Sequence, residues 1–169
     1  MKLLRVGEFG KEKPAALDKN GKIRDLSKHI KDFDHSTLNF STLETLKKVN
    51  LETLPEVTSS TRIGSCIAKP GKFLAVGLNY SDHAAETNAE IPKEPIIFNK
   101  AANCMVGPND NIILPKASKK LDWEIEIAFV VGKNTKYISE KEAPDHILGY
   151  CMVNDISERE WQIERGGLW

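Results

Sequence analysis

"LDWEIEIAFVVG", residues 121–132, decides how the second half of the chain is read. Apolar and polar side chains alternate along it with a period of two, the pattern of a strand with two unlike faces. Trp123, Ile125 and Ile127 share one face, expected to hold a sheet, and Asp122, Glu124 and Glu126 share the other. Carboxylates at i and i+2 lie about 7 Å apart at their Cα atoms by strand geometry, near enough to converge on one cation and to repel each other without one. A solvent-facing strand surface accounts for the same three acids more plainly.

Downstream, "HILGYCMVND", residues 146–155, is a second apolar run, and it ends in Asp155. Ser157 and Glu160 follow with the spacing of a capping box, which would open a short helix over "EREWQIER" that Gly166-Gly167 would stop. An acid at a strand end, on the lip of a helix, is a frequent place for a site residue. Asp155 would join the glutamates as a third carboxylate. An all-oxygen set with no Cys or His pair nearby favours a hard cation, Mg2+, Mn2+ or Ca2+, over zinc.

Upstream, "KFLAVGLN", "PIIFNK" and "NIILP" read as further strands between Pro, Gly and Asn punctuation, so the larger part of the chain is expected to be mainly β with short helices, an α+β class. Within "VGLNYSDHAAETNAEIPKEP", residues 76–95, Asn79 or Ser81 can cap a short helix that projects His83 and Glu86 from one face at i and i+3. A carboxylate holding one imidazole nitrogen leaves the other to take a proton from water, as a general base does. A solvated surface histidine beside a surface glutamate fits the pattern equally. Lys100, at the end of "PIIFNK", reads by itself as a lysine leaving the core for solvent.

Nearer the start, "AALDKNGKIRDLS" is expected to form a hairpin over residues 15–26 with a type I′ turn at Asn20-Gly21. "FSTLETLKKVN" predicts an amphipathic helix with Ser41 and Glu44 as a capping box and Leu43, Leu46 and Val49 on one face. Residues 51–70 are turn-rich and without period, which puts a boundary near residue 70: a small N-terminal α/β module over 1–70 and a larger domain over 71–169.

The 24 basic and 24 acidic residues balance, removing the electrostatic reason to expect nucleic acid or an anionic membrane as partner. No apolar run approaches the roughly 18 residues of a membrane span, and "MKLLRVGEFG" turns charged too early for a signal peptide, so a cytoplasmic location is expected. Cys66, Cys104 and Cys151 are odd in number and lack a CxxC pair, which predicts reduced cysteines, mostly in the core.

Taken together, "VGLNYSDHAAE", "PKEPIIFNK", "VGPNDNIILP", "DWEIEIAFVVGK" and "GYCMVNDISEREWQIERGGLW" resemble, in order and wording, the fumarylacetoacetate hydrolase family from about residue 71 to residue 169. The likeness is strongest to its small bacterial members labelled ureidoglycolate lyase or 2,4-diketo-3-deoxy-sugar-acid hydrolase. The resemblance implies a mixed β-roll fold. It also implies metal ligation by Glu124, Glu126 and Asp155, a lid dyad of His83 and Glu86, and substrate-carboxylate and oxyanion contacts from Lys100, Arg159 and Gln162. The implied activity is cleavage of a C–C bond in acylpyruvate-like or 2,4-dioxo acids, with Mg2+, Mn2+ or Ca2+ as cofactor. Relatives with the same triad include lyases, decarboxylases and isomerases.

Two departures from the family pattern bear on these expectations. Lys100-Ala101 replaces a usual Lys-Pro, loosening a turn beside the proposed oxyanion residue. Family members also continue past the position of Trp169 with a Lys-containing segment and further strands, so the metal strand is expected to lack sheet neighbours and to expose apolar surface. An inactive or metal-binding fragment, or half of a split enzyme completed by a second polypeptide, is the alternative to an active hydrolase. A complete domain is expected to form a homodimer.

Overall fold

Residues 1–165 are described by the computed structural model, and their regular structure is mostly strand with a few short helices. By packing, the chain divides into two units: Met1–Thr37 with Val49–Asn109, and Leu38–Lys48 with the chain from Asp110 on. This division runs differently from the boundary placed near residue 70.

In the first unit, strands β1 (Lys2–Val6), β2 (Lys13–Leu17), β3 (Ile23–Asp25) and β4 (Glu56–Val57) form an antiparallel sheet in chain order. Val6, Ala15 and Ile23 are buried on it, with Leu4, Leu17, Val57 and Ile63 packed around them. Leu26 and Phe33, just past β3, are fully buried. The β2–β3 hairpin forms where expected, but its turn differs. Asn20 does not take a positive φ, whereas Gly21 does, at 76°. Gly21 N–H donates to the Asp18 carbonyl at 3.1 Å, and Asp18 N–H donates to the Lys22 carbonyl at 2.9 Å. A type I turn followed by a left-handed glycine therefore replaces the type I′ turn. The Asp18 carboxylate drives the change by accepting from the backbone N–H of Asn20 and Lys22, at 2.8 and 2.9 Å, so local polar bonding outweighs the preference of the dipeptide.

Arg5 is buried in this unit and fully engaged. Its guanidinium donates to both Asp32 oxygens, at 2.7 and 3.0 Å, and to Glu12 at 3.3 Å, while Arg62 reaches the other Glu12 oxygen at 2.8 Å. Burial pushes the Glu12 carboxyl up, but the Arg62 bond and the Arg5 charge hold it below the ordinary glutamate value. Farther on, the two runs read as strands form β5 (Leu74–Gly77) and β6 (Ile96–Asn99), which pair antiparallel, with helix α2 (Ser81–Glu86) in the connection between them. Leu74, Val76, Ile96, Ile97 and Phe98 are exposed on this ribbon.

In the second unit the acidic strand is split. A short β7 (Leu121–Asp122) pairs with β10 (Ser157–Glu158), and β8 (Ile125–Val131) pairs with β9 (Ile147–Asn154), all antiparallel. The alternation along residues 123–131 holds, and the apolar side read as holding the sheet is the exposed one, in line with the apolar surface expected of a strand short of neighbours. Trp123, Ile125, Ile127, Phe129 and Val131 face solvent, and the acids sit on the less exposed side. Met152 and Tyr150, 73% and 70% exposed, lie opposite Ile127 and Phe129 and extend the apolar face across the ribbon.

Helix α1 (Phe40–Lys47) forms as predicted, with Leu46 buried, but Asn39 rather than Ser41 caps it by accepting from Thr42 N–H at 2.9 Å. Phe40 packs at the end of the β8–β9 ribbon, where a Cβ on Gly132 would come within 2.8 Å of the Phe40 ring and 2.9 Å of Leu148 Cβ. Gly132 is thus required by close approach. "NIILP" forms no strand, and Ile112, Ile113 and Leu114 are exposed. The cysteines are not core residues: Cys104 is exposed and Cys66 and Cys151 are half-buried, with no disulfide among the described residues. No described helix is long and apolar enough to cross a membrane.

Candidate functional site

The break between β7 and β8 is where the acids gather. Trp123 and Glu124 lie opposite Asp155 and Ile156, between the Asp122↔Ser157 and Ile125↔Asn154 pairs. Asp155 N–H donates to the Glu124 carbonyl at 2.8 Å, and Glu124 N–H is taken by the Asn154 side chain at 3.1 Å. An irregularity of this kind re-aims side chains at a strand end. It brings the backbone of Asp155 against that of Glu124, and the two-residue period puts Glu126 on the same face of β8 as Glu124. The donor chemistry, three carboxylates from two paired strands, suits a hard divalent cation. As they stand, the side chains do not converge: among the described residues no cluster of three His, Cys, Asp or Glu could hold a metal ion.

Arg159 faces these acids instead. Its Nε donates to Asp122 Oδ2 at 3.0 Å, its Nη2 donates to Glu124 Oε1, and its Nη1 donates to Gln162 Oε1 at 2.9 Å. Its backbone N–H donates to the Lys120 carbonyl at 2.9 Å, which ties it to the strand carrying Asp122. Burial works against the Arg159 charge, but the Asp122 and Glu124 carboxylates more than offset it and raise its pKa. Arg159 and Gln162, three residues apart, are thus side by side.

The element that carries them is not the expected capped helix. Ser157 lies in β10 and its hydroxyl donates to the Asp155 carbonyl at 3.2 Å. The turn over Glu160–Glu164 is a π-helix closed by Arg165 N–H donating to the Glu160 carbonyl at 3.1 Å. Wide turns of this type recur at functional sites because they displace a side chain from the regular helical path. Glu158 anchors its entry by accepting from the Lys120 backbone N–H at 3.0 Å and from the Ser118 hydroxyl. Burial pushes its carboxyl up, but these bonds hold it below the ordinary value. Gly166-Gly167, read as the stop of this helix, lies outside the described residues.

His83, Glu86 and Lys100 belong to the first unit. The helix α2 has the expected place, but Tyr80 occupies its N-cap position and no side chain caps it, so neither Asn79 nor Ser81 has the predicted role. His83 is half-buried and Glu86 exposed. Among the described residues no side-chain hydrogen bond joins them, and the bonds of His83 run through its backbone to Asp82 and Thr87. Leu78, just before α2, takes a φ of 49°, a conformation that costs a branched side chain energy and turns the chain sharply from β5 toward the helix. Lys100 N–H donates to the Phe73 carbonyl at 2.8 Å, and its ammonium lies 5.9 Å from the Phe98 ring centroid. Two shallow clefts of about 360 and 270 Å3 in this unit contain none of the candidate residues.

Asp122 is the residue that the reading of the sequence undervalued. It has no place in the ligand set, yet it holds Arg159 through both side chain and strand register. The signal was present: three acids on one strand face, with an arginine a few residues past the acid that ends the paired strand.

A family profile described as "Fumarylacetoacetate (FAA) hydrolase C-terminal" matches residues 72–168. A relative from Burkholderia ambifaria, whose curated name goes no further than a hydrolase, is 52% identical over 169 residues. The match takes in 100% of this chain and 60% of the relative, so the chain spans about 60% of the length of the curated relatives it matches. Among solved structures, a fumarylacetoacetate hydrolase from Exiguobacterium antarcticum superposes with a TM-score of 0.77 at 25% identity, covering 100% of this chain and 60% of that one. A 5-carboxymethyl-2-hydroxymuconate delta-isomerase from Mycobacterium smegmatis gives 0.70 at 26% identity, covering 100% and 59%. A maleylpyruvate hydrolase from Sphingobium sp. SYK-6, solved with manganese(II) and pyruvate, gives 0.75 at 19% identity, covering 94% and 60%, a likeness of fold alone.

Proposed function

The chain belongs to the fumarylacetoacetate hydrolase family, and we propose that it carries the metal-binding part of a divalent-cation-dependent hydrolase that cleaves a C–C bond in acylpyruvate-like or 2,4-dioxo acids. The observation that carries this reading is the strand break at which Glu124 and Asp155 are joined through their backbones, with Glu126 on the same strand face and Arg159 and Gln162 bonded beside them.

Glu124, Glu126 and Asp155 would hold Mg2+, Mn2+ or Ca2+. The bound ion would supply Lewis-acid polarisation of the substrate's carboxylate and 2-oxo oxygens. Arg159 and Gln162 are suited to a planar carboxylate, since a guanidinium fork and an amide N–H can donate to its two oxygens. The resemblance gives His83 the task of taking a proton from water, with Glu86 orienting its ring. The water oxygen adds to the distant ketone carbon, the C–C bond breaks, and its electron pair passes to the pyruvate side as an enolate that takes back a proton. Lys100 would offset the negative charge on the substrate oxygens. The mixed β-roll, the bacterial branch named above, a homodimer and a cytoplasmic location belong to the same proposal.

A second reading, a metal-binding or partner-dependent piece without turnover of its own, is favoured by the exposed apolar face of the β8–β9 ribbon. Isomerisation is a third, since a structural relative bears an isomerase name. Calorimetric titration of Mg2+ and Mn2+ into the chain tests the metal site. Binding is expected, and Glu124→Gln is expected to weaken it by at least about tenfold, the scale of losing a group that serves a metal. A glutamine variant that binds as tightly as the wild type would remove the site. Turnover of acylpyruvates with Mg2+ then separates an enzyme from a binding module.

A further inference from the structure

Arg159 has three side-chain acceptors, and two of them are carboxylates with different prospects. Glu124 is a metal ligand in the proposed function, on which this inference rests; Asp122 is not. Asp122 takes Nε at 3.0 Å, Glu124 takes Nη2, and Gln162 takes Nη1 at 2.9 Å, so all three corners of the guanidinium are engaged. The two carboxylates also differ in how they are held. Asp122 is paired in register with Ser157, two residues before Arg159, and the Arg159 backbone is bonded to Lys120, two residues before Asp122. The Asp122–Arg159 contact is therefore fixed by strand pairing at both ends, whereas Glu124 stands in the break between β7 and β8.

A divalent ion arriving at Glu124 meets a carboxylate that already faces a cation. Two cations on one carboxylate repel, so the guanidinium must leave Glu124 or the ion is held less tightly. A displaced arginine needs somewhere to go, because a partly buried guanidinium with fewer partners costs free energy. Asp122 provides that place without a change of backbone.

We propose that Asp122 is a positioning residue: it retains Arg159 when a divalent cation takes Glu124 from it, so that cation binding and the release of an arginine fork toward substrate are one event. Arg159 in this scheme is a tethered competitor of the ion, and Asp122 sets the strength of the competition. The substrate carboxylate then meets a guanidinium that has just lost one acceptor and still holds its aim through Asp122 and Gln162.

The test is a cycle of Mg2+ and Mn2+ affinities measured by calorimetry on the 169-residue chain, wild type, Asp122→Asn, Arg159→Gln and the double variant. Arg159→Gln removes the competitor and is expected to tighten ion binding about fivefold, the scale of one partly exposed ion pair. Asp122→Asn leaves Arg159 with Glu124 as its remaining carboxylate and is expected to weaken binding about fivefold on the same grounds. In the Arg159→Gln background, Asp122→Asn is expected to change nothing. A general electrostatic or folding role for Asp122 would weaken binding equally in both backgrounds and would overturn the proposal, as would looser binding by Arg159→Gln. If the glutamine variant does not fold, Arg159→Met replaces it: the apolar stem is kept and the cationic competitor removed, so the Asp122→Asn effect should again vanish. Failure of the wild type to bind either ion would sink the ligand assignment of Glu124 and this inference with it, whereas binding that Glu124→Gln abolishes and the cycle leaves flat would sink this inference alone.

Discussion

The sheet of β1–β4 and the ribbon of β8–β9 are built from the same kind of sequence, short apolar runs alternating with polar residues, and end in opposite states. In the first, Val6, Ala15 and Ile23 are buried, Leu26 and Phe33 past β3 are fully buried, and the buried Arg5 has acceptors on Asp32 and Glu12. In the second, the backbone pairs in register from Ile125 to Val130 with one shift before Val131, yet Ile125, Ile127, Phe129, Tyr150 and Met152 face water. The difference teaches that alternation specifies which side chains share a face and says nothing about which face is covered. Coverage needs a second layer, and a two-stranded ribbon without one retains its hydrogen bonds but gains little from burial.

That contrast can be broken from either side. The largest expected effect is in the covered region: Phe33→Ala should cost about 3–5 kcal/mol, the range for truncating a fully buried aromatic, read as faster amide exchange throughout β1–β3. Exchange left unchanged there would mean that Phe33 is not part of that sheet's cooperative unit. Gly132→Ala acts on the ribbon's best-packed end and should destabilise it by about 1–3 kcal/mol, because the new methyl meets both the Phe40 ring and Leu148. Here the readout is exchange of the β8–β9 amides, with β1–β3 unaffected. Smallest of all, Ile127→Thr on the exposed face should alter stability by no more than about 0.5 kcal/mol while lowering the binding of a hydrophobic dye and the tendency to aggregate. A cost above about 2 kcal/mol would show that this face is buried in solution.

Much of the fold was legible because local chemistry decided it. The β2–β3 hairpin, the β5–β6 strands, helix α1 and the two long strands of the second unit follow from two-residue and 3.6-residue periods. The misreadings are those where one side chain outbid a local preference. Asp18 took the backbone donors and changed the turn around Gly21, Asn39 took Thr42 N–H ahead of Ser41, and strand pairing drew Ser157 into β10 away from a cap. "NIILP" has strand composition but no strand beside it to pair with among the described residues. Of the candidate site, the acids and their common strand face were visible in the pattern, and Arg159 and Gln162 were named through the family resemblance. The engagement of Arg159 by Asp122 and Glu124 was not visible, since Arg159 lies 37 and 35 residues from them in sequence and meets them through strand register.

By itself the sequence determined the acidic face of β8, because a period of two puts Glu124 and Glu126 on one side whatever the strand packs against. The tertiary structure alone decided that this face is the sheltered one and that an arginine occupies it. Register between distant strands sets who meets whom, and the presence or lack of a packing layer sets which side is dry; neither is a property of the local chain.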